Sequence, residues 1–298
     1  MFVRPPIGRR FPPRRGGQPS GNRQPDELQA DEQQSDEQQI NDEFYPALYD
    51  VLQVRHIFLQ MVASEGLPLE VVDMIVDAAE YWPSNEFKLE EKRTIQKDVD
   101  QAVLCTSPLC YDEKTLDTAS PKLLQHRTIH PCRKIIFSIV SRDQGGYSAE
   151  RRGSGPDRPN MYDGSYTWFD AEVIHNAHEA SQKDVVWEKM NPHDKNPKHY
   201  APDDPLLLPR DNALQVNRAR IYQAKRHTIV WHHLDNTPAD SADAEELKHS
   251  QGRGRGTHSG KQVREMELGD SIIVWARARF PGWTNYVDEL SVRVFWAV

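Results

Sequence analysis

The stretch RKIIFSIVS, residues 133–141, follows Pro131 and changes the period of the sequence from helical to two. It reads as a β-strand, rich in the branched and aromatic residues that a pleated, half-buried surface favours. A second strand, SYTWFDAEVI at residues 165–174, sets Tyr166, Trp168 and Asp170 against Thr167, Phe169 and Ala171. Working outward toward the C-terminus, the same signals predict strands at residues 184–189, 214–220, 225–232, 262–268, 271–279 and 287–297. About eight strands with no helices between them imply antiparallel pairing. The expected fold is mostly β, an antiparallel β-sandwich of jelly-roll-like type over residues 131–298. Gly269 and Asp270 read as a tight hairpin turn between two of the strands. Three connections, residues 142–164, 191–212 and 235–261, are long enough to be functional loops.

Working outward in the other direction, residues 85–130 form a weakly patterned connecting segment. In it, residues 92–99 read as the end of a helix or as an edge strand. Before it, residues 44–84 carry two helical patterns. Leu48, Val51, Leu52, Val54, Ile57, Phe58, Met61 and Val62 recur at helical spacing, and Gly66 ends the run. A second helix opens at Pro68, carries Val71, Val72, Ile75, Val76 and Ala79 on its apolar face, and stops at Pro83. Together they predict a short helical hairpin. Residues 1–43 are an Arg/Pro/Gly-rich stretch followed by an acidic Gln-rich repeat, DELQA-DEQQS-DEQQI. Neither part can bury enough apolar surface to offset the entropy of ordering it, so a disordered tail is expected.

Composition narrows the function. The net charge of -8 argues against general nucleic-acid binding, since phosphate-backbone affinity comes from clustered Lys and Arg. No apolar run is long enough to cross a bilayer, and the N-terminus has arginines and prolines where a signal peptide needs an apolar stretch. Three cysteines are too few for a disulfide scaffold, so the expected location is cytoplasmic or nuclear. Cys105, Cys110, His126, His130 and Cys132 are spaced too irregularly for a convergent zinc site. The adjacent His232 and His233 point to opposite faces if they lie in a strand. No metal and no cofactor are expected. Asp170 and Glu172 share a strand face, but no nucleophile or phosphate-loop motif accompanies them, so no enzyme is expected.

Recognition residues are sought in turns. Trp283 and Tyr286 lie in the PGWTNY turn before the last strand, where side chains tend to face solvent. Asn285 and Asp143 can supply hydrogen bonds beside them, and Arg255, in the GRGRG stretch 252–256, can engage a carboxylate or phosphate. Trp168, Trp187, Trp231, Trp275 and Trp296 fall within strand runs and read as core.

Two resemblances add to this. Leu67-Pro68-Leu69-Glu70, followed by Val71, Val72 and Ile75, resembles the opening of an F-box, the module that ties a substrate receptor to the adaptor of an SCF-type ubiquitin ligase. That likeness implies adaptor contact through Leu67, Pro68 and Val71. In the C-terminal part, five segments in order resemble a group of fungal proteins of uncharacterised function. These are SRDQG (141–145), GSYTWF (164–169), QVN (215–217), GDSIIVWA (269–276) and FPGWTN (280–285), with the ending FWAV (295–298). That group shares a C-terminal β-domain, sometimes beside F-box-like segments. The expected protein is a non-enzymatic recognition module that binds a protein ligand through its sandwich loops. The alternative is a lectin-like, carbohydrate-binding module with Trp283 and Tyr286 as a stacking platform.

Overall fold

The computed structural model describes residues 44–60, 66–146, 161–192 and 196–298. The tail expected over residues 1–43 lies outside them. Tyr45–Val298 forms one compact unit. In chain order its elements are α1 (Leu48–Gln60), α2 (Leu69–Ala78), β1 (Ser84–Lys88), β2 (Arg93–Gln96), β3 (Gln101–Cys105), β4 (Cys132–Arg142), β5 (Thr167–Ile174), α3 (Ala180–Met190), β6 (Gln215–Val216), β7 (Lys225–His232), α4 (Ala242–Gln251), α5 (Lys261–Glu265), β8 (Ser271–Ala278) and β9 (Thr284–Trp296). The strands form two antiparallel sheets. One has the order β1-β9-β4-β7, with β2 also pairing β9, and the other has the order β3-β8-β5-β6.

Strand β4 has the alternation of a sheet with one face on the core: Ile135, Phe137 and Ile139 are fully buried, while their neighbours are only partly covered. Strand β9 is the hub of its sheet, pairing with β1, β2 and β4. Strand β8 has a continuous apolar run instead, because both of its faces are covered. Ile272, Val274, Ala276 and Ala278 join the main core with residues of the other sheet. Ile273 faces the opposite way, into a smaller cluster with Val186 and Met190 of α3.

The helical hairpin is anchored to the sheets. Val51, Val72 and Val76 belong to the main core. The acidic flank of α2 meets cations: Asp73 pairs with Arg55 and Arg127, Asp77 with Arg127 (2.5 Å), and Glu80, just past the helix, with Lys134 (2.6 Å). Asp77 also accepts from the indole of the buried Trp82 at 2.8 Å.

Several sequence expectations are corrected. Residues 184–189 are not a strand: they lie in α3, and Trp187 is mostly exposed rather than core. Residues 262–268 hold the short helix α5, whose Val263 and adjoining Met266 are buried. Gly269-Asp270 joins that helix to β8 and is not a hairpin turn. The Asp270 carboxylate accepts from the Glu267 and Asn176 backbone N–H groups, and Gly269 takes a φ of +83°. Residues 214–220 contribute only the two-residue strand β6. The connection 235–261 is not simply a loop, because it contains α4 and a 3-10 turn at Arg255–His258. His232 and His233 do not diverge. Because β7 ends at His232, the next ring swings back, and the two pack edge-on at 4.7 Å beside Trp82. The weakly patterned segment 85–130 supplies β1, β2 and β3.

Candidate functional site

A cleft of about 230 Å³ opens beside β6, the edge strand of its sheet. Three loops build it: 162–166 before β5, 208–210 before β6, and 252–254 after α4. Its floor comes from the glycines of the GRGRG stretch, which pack instead of flexing. Gly252 ends α4 in the left-handed conformation, at φ 72°, and returns its N–H to the Lys248 carbonyl. A Cβ on Gly252 would sit 2.3 Å from the Tyr162 ring, and one on Gly254 would sit 2.4 Å from the Asp211 carbonyl oxygen. The stretch then runs along the open edge of β6. Val216 donates to Gly252, Gly254 to Ala213 and Gly256 to Asp211, at 2.8, 2.8 and 2.6 Å. An otherwise unpaired strand edge is thereby covered.

The wall at Leu208, Pro209 and Arg210 is held from below by a buried ionic cluster. Arg279, fully buried, donates to the Leu206 carbonyl at 2.9 Å, pairs with Asp100 at 2.7 Å and stacks on Tyr200 at 3.7 Å. Tyr200 in turn donates to Asp100 at 2.8 Å. Burial opposes ionisation of Asp100, but Arg279, Arg277 and the Tyr200 hydroxyl prevail and hold its carboxyl below the ordinary value. Arg277 also pairs with Asp170 at 2.5 Å, where burial wins and raises the carboxyl.

Charge at the cleft is uneven. Arg210, Lys248 and Arg253 line it, with Asp163 the acid among the lining residues. Arg253 is turned inward: its guanidinium reaches the Val230 and Thr257 carbonyls at 3.4 Å, and burial lowers its pKa to about 10. Arg210 and Lys248 make no ion pair or side-chain hydrogen bond among the described residues. Asp211, next to Arg210, is occupied. Arg255 grips it at 3.0 and 2.9 Å and, with the Lys248 charge also acting on it, lowers its carboxyl pKa.

Arg255 does not reach out for a ligand; held by Asp211 and Glu245, it stiffens the cleft from outside. Trp283 is not an exposed platform. It is nearly buried and stands edge-on to Tyr166 at 5.1 Å, behind the cleft wall. Tyr286 is half-buried under the Arg142 guanidinium at 4.1 Å. Asn285 is fully buried and binds the Trp168 and Arg277 carbonyls and the Asn217 amide. Asp143 is likewise fully buried, and its carboxylate is used up on the backbone N–H groups of Gly145, Arg220 and Ile221. Burial raises the Asp143 carboxyl despite those donors. On the hairpin, Leu67 packs against the core, whereas Pro68 and Val71 are exposed.

Tyr162, Arg210 and Lys248 were not singled out by sequence reasoning. They are isolated residues of three distant segments, and only the glycine spacing at 252–256 marked the region.

The remaining chemistry is quiet. The three cysteines are unpaired, and burial pushes Cys105 and Cys132 up to about 12 and Cys110 higher still, far from a thiolate at neutral pH. Among the described residues no group of three or more His, Cys, Asp or Glu is placed to hold a metal ion. Nor is any described helix long and apolar enough to cross a membrane. Asp170 and Glu172 are engaged by Arg277 and Lys189. No protein family matches the chain, and no curated protein or solved structure shows significant similarity to it.

Proposed function

We propose that this chain is a non-enzymatic recognition protein, a β-sandwich that binds an acidic site on a protein ligand through the loops 162–166, 208–210 and 252–254. The observation that carries the reading is the pair Arg210 and Lys248, which line one cleft without a salt bridge or side-chain hydrogen bond among the described residues, in a chain of net charge -8. Arg255, Arg277 and Arg279, by contrast, are each held by a carboxylate. Two cations free of salt bridges among the described residues, beside apolar walls, suit complementarity to an anionic partner. The sandwich arrangement draws support from the main core, to which both sheets contribute. The carbohydrate reading has less support, because the aromatic faces and amides it needs are spent on internal contacts.

A second reading concerns the hairpin. Leu69, Val71, Met74 and Ile75 of α2 are exposed, Met74 by 71%. An apolar patch of this kind suits docking to another protein, and an F-box-like contact with an SCF-type adaptor is the form proposed. The contact would then use Val71 with Leu69 and Met74, since Leu67 is turned to the core.

Both readings are tested by capturing partners from native extract with three forms of the chain. Arg210→Glu with Lys248→Glu should release the cleft ligand and leave hairpin partners bound. Met74→Asp should do the reverse. Identical captures from all three folded proteins would sink both assignments.

A further inference from the structure

Resting on that reading, we infer that the cleft takes an aryl phosphate monoester, presented as a phosphorylated tyrosine side chain of a protein partner. Its size sets the first limit. About 230 Å³ lies below the roughly 300–1,000 Å³ of sites for drug-sized ligands and cofactors, so the cleft holds something closer to a single side chain. Its walls set the second. Tyr162, Tyr166, Leu208, Pro209 and Val216 surround the space with ring and aliphatic surface, which suits a flat apolar stem. Tyr162 is fixed in place by its contact with Gly252.

Charge sets the third limit. A carboxylate supplies one negative charge, whereas a phosphate monoester carries about 1.5 to 2 near pH 7. Arg210 and Lys248 provide two positive charges that no salt bridge among the described residues holds, though Lys248 also feels the Asp211 carboxylate: a guanidinium fork that can grip two phosphate oxygens, and a point charge for a third. Arg253 adds an inward charge beside them, and Asp163, also lining the cleft, opposes part of the field. The balance is positive, and the apolar stem separates this ligand from inorganic phosphate.

The test uses the full chain. Phenyl phosphate is titrated in by calorimetry, with phenol and inorganic phosphate as controls. Saturable binding is expected for phenyl phosphate, weaker by about tenfold or more for either control. Arg210→Gln with Lys248→Gln should weaken it by about tenfold at an unchanged melting temperature, whereas Arg226→Gln, which does not line the cleft and is paired with Glu289, should not. A folded chain that ignores phenyl phosphate, or binds inorganic phosphate as tightly, overturns the inference. The source is tested by capture from extract treated with a tyrosine phosphatase. Loss of the cleft-dependent partner supports phosphotyrosine. A partner retained after that treatment, but still released by the charge-reversed cleft, overturns the phosphate assignment while recognition by the cleft survives.

Discussion

Asn285 donates to the carbonyls of Trp168 and Arg277 and accepts from Asn217, which also accepts from the Ser141 hydroxyl and donates to Thr167. This buried chain of amides and hydroxyls joins β4, β5, β8 and β9, and so both sheets. Removing one member leaves buried donors and acceptors of the others short of a partner, and Asn285→Ala should cost about 2–3 kcal/mol. Chemical denaturation measures it; an unchanged midpoint, with a ligand lost instead, would restore Asn285 to a binding surface. A turn rich in Pro, Gly, Thr and Asn looked solvated because sequence reports local polarity only. What buries Trp283 and Asn285 is the arrival of Tyr166 and Asn217 from distant segments. The same distance hid Arg210 and Lys248. His227 carries a further consequence. It is buried against Tyr162, and burial, with Arg218 and Lys225 nearby, lowers its pKa from 6.5 to about 4. Well above pH 6.5 both folded and unfolded forms are neutral, and its contribution is fully present. As pH falls from 6.5 toward 4 the unfolded chain takes up the proton first, and stability is lost, by about 2 kcal/mol at pH 5 for this group alone. His233 and His258, also lowered to about 4, act in the same direction. Asp143 and Asp170, whose carboxyls are raised, oppose the trend only as pH approaches the carboxylate range. Urea midpoints should therefore fall between pH 7.5 and 5, and His227→Phe should flatten the slope. A slope unchanged in that variant would refute the assignment.

Elements were legible where one face is buried and the other open. Strands β4 and β7 carry that alternation and lie within a residue of their expected positions. Strand β8 was recognisable from its unbroken apolar run. Misreadings cluster where a short apolar group has two possible periods. Val185, Val186 and Trp187 favour a strand by residue type, and no local signal shows that β3 and β8 need a cover. The segment becomes α3 because Val186 and Met190, four residues apart, reach Ile273 and Ala102 from one helical face. Trp187 and Val185 are left exposed. No residue of α3 is buried, and the helix rests on the smaller of the two clusters. Its amides should exchange with deuterium well before those of β4 and β9. Protection of α3 equal to that of β9 would show that the helix is integral to the core.

At the scale of the whole molecule, the boundary expected at residue 131 cuts through the fold. The patterned region starts there, but the sheets do not. Strand β9 pairs with β1 from Ser84 to Lys88 and with β2 from Arg93 to Gln96, while β3 closes the free side of β8. Strands β1 and β2 are short and largely polar, with Ile95 their one fully buried side chain, while β3 is apolar but only five residues long. Their identity therefore depends on long-range pairing that no local period announces. The hairpin adds Val51, Val72 and Val76 to the same core, tied down by the cations that meet Asp73, Asp77 and Glu80. A chain of residues 131–298 would leave both long edges of β9 and β8 unpaired on one side and their apolar faces open. It should be aggregated or unfolded by circular dichroism, while residues 44–298 should melt in one cooperative transition. A folded, monomeric 131–298 fragment would mean that the first three strands and the hairpin are additions to a self-sufficient β-domain. Two separate transitions in the longer chain would point to the same division. One transition there and no fold in the fragment would make the hairpin and the sheets a single cooperative body, so that a ligand stabilising the cleft would also protect α2.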